Sequence, residues 1–133
     1  MTETNTKTIL IVDDDIDFLE QTQIHLESAG FKVVAAESQK QAEEILVELE
    51  PDMAIIDLMM EHLDGGFALA YHIKKKNSEI PVIIVTGVAS ETSLEFDATT
   101  DEEKSWIKAD AFLAKPIRYE QLLSEVNKYI TRS

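Results

Sequence analysis

Four apolar runs in this 133-residue chain each end in a residue suited to binding a cation or an oxyanion. Ile9-Leu10-Ile11-Val12 runs into Asp13-Asp14-Asp15, and Ala54-Ile55-Ile56 ends in Asp57. Ile83-Ile84-Val85 ends in Thr86, and Phe112-Leu113-Ala114 ends in Lys115-Pro116. Carboxylates brought together repel and raise one another's pKa unless a cation neutralises them. Hard carboxylate oxygens suit Mg²⁺, which takes one or two carboxylates, keeps some waters and shares phosphate oxygens. A lysine ammonium and a threonine hydroxyl cannot help hold that cation as charges, but both suit phosphoryl oxygens. Carboxylates around Mg²⁺, with such donors facing a trigonal phosphoryl group, describe an acyl-phosphate site.

The elements between these residues must bring them to one place. Thr8–Val12 is β-branched and uninterrupted, as is a strand buried on both faces. Residues 16–29 carry Phe18, Leu19, Leu26 and Ala29 at helical spacing, closed by Gly30. Residues 31–36 form a second strand. Ser38 and Gln41 then open a helix as a capping box, with a stripe of Ala42, Ile45, Leu46 and Leu49 that ends before Pro51. Residues 53–56 are a third strand, followed by a turn at Asp64-Gly65-Gly66 and a helix over 67–76. Residues 81–85 and 111–114 are the fourth and fifth strands, and a helix over 119–131 closes the chain.

Strands without internal alternation, separated by helices, mean a parallel sheet covered on both faces. Right-handed crossovers and five strands favour a doubly wound α/β fold of flavodoxin-like order 2-1-3-4-5. Ligands in such sheets bind at the carboxyl ends of the strands, where Asp13, Asp14, Asp57, Thr86 and Lys115 all fall.

Composition narrows the function. With 12 Lys+Arg against 26 Asp+Glu the net charge is −14, which argues against nucleic acid as a direct ligand and disfavours anionic membranes. No cysteine means no disulfide, thiolate zinc site or cysteine nucleophile. Residues 1–7 read as a flexible polar tail without a leader, the rest as one domain, and the expected location is cytoplasmic. Asp13-x-Asp15-x-Asp17 opens like a calcium loop, but Phe18 and Ile24 stand where that loop needs glycine and glutamate. His25, His62 and His72 lack ligand spacing, and Lys74-Lys75-Lys76 reads as a cationic helix C-terminus.

The runs ending in Asp13-Asp14-Asp15 and Asp57, with Asp64-Gly65, Val85-Thr86-Gly87 and Phe112-Leu113-Ala114-Lys115-Pro116, resemble the receiver domain of two-component response regulators. The resemblance spans residues 8–130. It implies that Asp57 takes a phosphoryl group from a phosphohistidine on a sensor histidine kinase or phosphotransfer protein. It implies Mg²⁺ held by Asp13, Asp14, Asp57 and the backbone carbonyl of Met59. Lys115 then pairs with Asp57 at rest and with the phosphoryl group afterwards, while Thr86 and Phe112 are the switch residues. Such a domain is a phosphoacceptor with slow self-dephosphorylation, not a turnover enzyme. Because the chain ends after its closing helix, it is expected to stand alone and to signal through a protein partner.

Three features depart from that family. Glu61 stands where proline is common, and Met59 and Val88 place apolar side chains beside Gly87, which points to an unusual phosphoryl lifetime. The segment 88–109 is long for the family and carries overlapping capping signals, Thr99-x-x-Glu102 and Thr100-x-x-Glu103, ahead of Trp106. Two other readings remain. Asp13-x-Asp15 after a strand resembles the nucleophile motif of Mg²⁺-dependent haloacid-dehalogenase phosphatases, although Asp57 is out of order for that family and no cap insertion is present. A pseudo-receiver would use the same fold purely for interaction.

Overall fold

The computed structural model describes residues 6–57, 65–86, 110–114 and 117–130. Five parallel strands, β1 (Thr8–Val12), β2 (Lys32–Ala36), β3 (Met53–Asp57), β4 (Val82–Thr86) and β5 (Ala111–Ala114), form one sheet of order β2-β1-β3-β4-β5. Four helices accompany it among the described residues: α1 (Ile16–Ser28), α2 (Gln39–Glu48), α3 (Gly65–Lys76) and α4 (Tyr119–Tyr129). This is the doubly wound order expected from the strand–helix alternation.

Strand residues alternate between two cores, as the two-residue period of a strand requires. Leu10, Val12, Ala54, Ile56, Val82 and Ile84 pack under α2 and α3. Their neighbours Ile9, Ile11, Met53, Ile55, Ile83 and Val85 pack under α1 and α4. Both faces are therefore covered, which explains why the strands read as unbroken apolar runs.

The helix ends follow local chemistry. Asp15 caps α1, its side chain accepting from Phe18 N at 3.2 Å. At the other end Gly30 takes φ 102°, its N–H donates to Glu27 O, and Phe31 N donates to Leu26 O. That pair of bonds is a Schellman closure, and Leu26 and Phe31 are buried in the same core beside it. Ser38 caps α2 through Gln41 N at 3.1 Å, as expected, but the Gln41 side chain reaches back to Glu37 N instead of Ser38 N.

Several boundaries differ from the sequence reading, by one residue at the end of α1, the start of β2 and the end of β3. Helix α3 starts at Gly65, two residues early, because first-turn amides need no intrahelical partner and glycine costs least there. Strand β4 runs Val82–Thr86 because Pro81 has no N–H for the ladder and contributes only its carbonyl, to Ala54 N. Helix α4 ends at Tyr129, with Ile130 already extended.

Two aspartates close the amino-terminal edge of the sheet in the same way. Asp52 N donates to Thr8 O while its carboxylate accepts from Thr8 N, both at 2.8 Å. Asp110 makes the same pair of bonds with Val82, also at 2.8 Å, and its carboxylate meets Lys74 Nζ at 2.7 Å. The buried stripe of α1 holds one surprise: Thr22, between Leu19 and Leu26, is fully buried and its Oγ1 has no hydrogen-bond partner. A buried hydroxyl without a partner costs about 1–3 kcal/mol of desolvation. Thr22→Val, which keeps the shape and removes the hydroxyl, is expected to stabilise the fold by about 1 kcal/mol, or roughly 3–4 °C in Tm. A fall in Tm by calorimetry would contradict this.

Candidate functional site

The carboxyl edge of the sheet gathers the acidic residues. Asp13 follows β1 directly and stays in the ladder, its N–H donating to Ala36 O at 3.1 Å. It is 1% exposed, and its Oδ1 accepts from Asp15 N at 2.9 Å. Asp57 is the last residue of β3, opposite Val85, and is 4% exposed. Strands β1 and β3 are direct neighbours, with Val12 opposite Ile56, so the residue following each apolar run is delivered to adjacent positions. Asp14 lies exposed beside them.

One carboxylate oxygen from each of Asp13, Asp14 and Asp57 lies within 4.8 Å of the others. This is the one grouping of three candidate metal-ligating side chains among the described residues. An octahedral ion with bonds of about 2.1 Å spaces its ligand oxygens about 3–4 Å apart, so the cluster matches one Mg²⁺ in donor type and approaches it in span. Without a cation, the buried pair Asp13 and Asp57 repels by on the order of 3 kcal/mol at an effective dielectric of about 20.

The acid triplet divides its labour. Asp15 caps α1, as a solvated turn residue would, while Asp13 and Asp14 face Asp57. Asp13's bond to Asp15 N was not read from the sequence, though an aspartate accepting from the amide two residues on is a familiar Asx turn.

Thr86 ends β4 opposite Ala114, at the same edge. Phe112, in β5 opposite Ile84, is 36% exposed. Met59, Glu61, His62, Gly87, Val88, Lys115 and the long segment 88–109 with Trp106 lie outside the described residues. His25 is not near the cluster but stacks on Tyr119, with centroids 3.7 Å apart and planes at 13°. The lysine triplet falls in the last turn of α3, as expected of a cationic helix end. No helix among the described residues is long and apolar enough to cross a membrane.

A family model described as the response regulator receiver domain matches residues 9–127. The Synechocystis sp. protein named DNA-binding dual master transcriptional regulator RpaA is 30% identical over 129 residues, 94% of this chain and 49% of that protein. The CheY-like response regulator receiver domain protein of Methanospirillum hungatei JF-1 superposes with a TM-score of 0.78 at 28% identity, covering 92% of both chains. TrrA of Thermotoga maritima, solved in complex with Mg²⁺–BeF, gives a TM-score of 0.76 at 25% identity, covering 94% of this chain and 100% of that one. With its fold, its acidic cluster and this match in hand, the chain belongs to the receiver domains of two-component response regulators. Receiver domains are phosphoacceptor switches that bind Mg²⁺ at such a cluster and work with histidine kinases. The phosphatase and pseudo-receiver readings are not favoured. The chain spans about half the length of the curated relatives it matches.

The crowding has a measurable consequence. Asp57→Asn is expected to raise stability in the absence of Mg²⁺ by about 1–2 kcal/mol, by removing one of two buried like charges. It should also shrink the Tm gain that Mg²⁺ gives the wild type, since binding to the folded state stabilises in proportion to ln(1 + [Mg²⁺]/Kd). A Tm loss for the variant without Mg²⁺ contradicts the repulsion.

Proposed function

We propose that Asp57 is the phosphoacceptor of this receiver and that Asp13, Asp14, Asp57 and the backbone carbonyl of Met59 hold its Mg²⁺. The observation that carries this reading is the convergence of the three carboxylates within 4.8 Å at the carboxyl ends of β1 and β3. When bound, Mg²⁺ neutralises the carboxylates and the charge that builds on the transferred phosphoryl group. An Asp57 oxygen attacks the phosphorus of a phosphohistidine, the new P–O bond forms as the P–N bond breaks, and the imidazole leaves. Asp13 and Asp14 lie beside Asp57 without the strand-end position that makes Asp57 terminal in β3, and Asp13 Oδ1 is already engaged by Asp15 N.

Lys115 and Thr86 then hold the phosphoryl oxygens, Lys115 as a point charge and Thr86 as a hydroxyl donor. Phe112, half a strand from Lys115 and partly exposed, changes its packing with them, which biases a two-state surface read by a protein partner. Self-hydrolysis of the aspartyl phosphate is slow, and Met59 and Val88 set its rate. The donor is a histidine kinase or a histidine phosphotransfer protein. TrrA's capture with Mg²⁺ and BeF supports the same arrangement here, since this chain aligns with all of TrrA.

The test is a phosphotransfer assay against candidate kinases, and against acetyl phosphate, comparing wild type with Asp57→Asn at matched circular dichroism. Stoichiometric labelling of the wild type and none of the variant is expected; labelling that survives in Asp57→Asn places the acceptor elsewhere. Lys115→Ala is expected to accept phosphate still, while the change in Trp106 fluorescence on adding Mg²⁺ and beryllofluoride falls to a small fraction of the wild-type change. A full-sized response in Lys115→Ala would remove Lys115 from the switch.

A further inference from the structure

Helices α2 and α3 both run from the carboxyl edge of a parallel sheet back to its amino edge, on the same face of the sheet. They are therefore parallel neighbours, and between them lies an open groove of about 340 Å³ lined by Leu46, Val47, His72, Lys75 and Lys76. Its α2 side is apolar and its α3 side basic, and the carboxylates of α2 stand outside the lining. Val47, 77% exposed, has Glu43 and Glu44 one turn before it on α2 and Glu48 beside it. The opposite wall is the lysine-rich end of α3.

Two of those lysines are committed within the chain. Lys74 pairs with Asp110, and Lys76 donates to Leu46 O, one of the end carbonyls of α2. Lys75 is exposed, lies 6.0 Å over the Tyr71 ring, and makes no ion pair among the described residues. Glu44 is likewise exposed and makes none. The chain thus presents an acidic ridge and a basic ridge on either side of an exposed valine, in a molecule of net charge −14.

We propose that this α2/α3 face docks a second copy of the same chain about a two-fold axis parallel to the two helices. Rotation about that axis lays α2 of one copy over α3 of the other and preserves height along the helices. Lys76 reaches Leu46 O, so the last turns of the two helices lie level, which places Glu44 and Val47 of each copy near the basic ridge of its partner. A two-fold axis across the helices would lay α2 on α2, acid against acid, so the charge pattern selects one symmetry. The proposal does not depend on Asp57 or on phosphorylation.

The face is small. A ten-residue helix is about 15 Å long, so two side by side cover about 300 Å² in projection. That is well below the about 800 Å² per partner of a standard interface, so the pairing is weak and salt-sensitive. The experiment is sedimentation velocity on the full chain from about 10 μM to about 1 mM at low salt. Wild type is expected to move from monomer towards dimer, and Lys75→Glu and Glu44→Lys each to weaken association at least about tenfold. Lys32→Glu, at the exposed start of β2, makes the same change in net charge as Lys75→Glu and is expected to have a much smaller effect. An equimolar mixture of Lys75→Glu with Glu44→Lys should regain association, because each acidic ridge then meets a basic one. Wild type that stays monomeric throughout overturns the proposal. So does association that Lys75→Glu leaves intact, or a mixture that associates no better than either variant alone.

Discussion

The constraint on which the structure turns is the placing of two buried carboxylates, Asp13 and Asp57, side by side at the ends of neighbouring strands. Left to itself this arrangement is unfavourable by an amount comparable with a sizeable part of a small domain's net stability. Backbone pairing and apolar burial hold it in place. Val12 and Ile56 lie opposite one another in the ladder, each buried under α2 and α3, and Asp13 N is bonded to Ala36 O in the next strand. The carboxylates cannot separate without breaking that register. The core thus stores an affinity for a divalent cation that no flexible acidic loop would have.

The two edges of the sheet use the same residue type for opposite purposes. Asp52 and Asp110 stand at the amino edge, each accepting from the first N–H of a neighbouring strand while its own N–H donates to the same residue. Their charges are met by backbone donors, and in Asp110 by Lys74 as well. At the carboxyl edge the strand-end amides of β1 and β3 are taken up in the ladder, and Asp57 has two further carboxylates for neighbours. What separates the two sets of aspartates here is which side of an apolar run they fall on.

That distinction was legible in the sequence. An acid after a β-branched run can only lie at the carboxyl edge of a parallel sheet, and five uninterrupted runs with helices between them left few other folds. Asp13, Asp14 and Asp57 followed from that placement alone. The end of α1 was legible too, since Gly30 after an apolar stripe signals a left-handed closure. Other features depended on three-dimensional partners. The start of α3 at Gly65 was read as turn because glycine favours both, and only packing of the first turn decides. Thr22 was passed over because its hydroxyl breaks the apolar pattern that its position completes. The reciprocal bonds of Asp52 and Asp110 join residues 44 and 28 positions apart, which no local pattern reveals.

A chain this acidic crowds negative charge in two settings, and burial decides what each can do. Among the three carboxylates of the site two are nearly inaccessible, so the field there is weakly screened and favours a cation. Glu44 and its neighbours on α2 lie in water, where charges more than about 8–10 Å apart are largely screened and an exposed pair contributes about 0–1 kcal/mol. The basic ridge that would answer them stands across the groove on α3, where Lys76 reaches a backbone carbonyl of α2 and not a carboxylate. Burial thus makes the cluster one concentrated charge. The exposed ridges can act only by summing several weak pairs at once, which requires a second surface of matching pattern and enough protein to supply it.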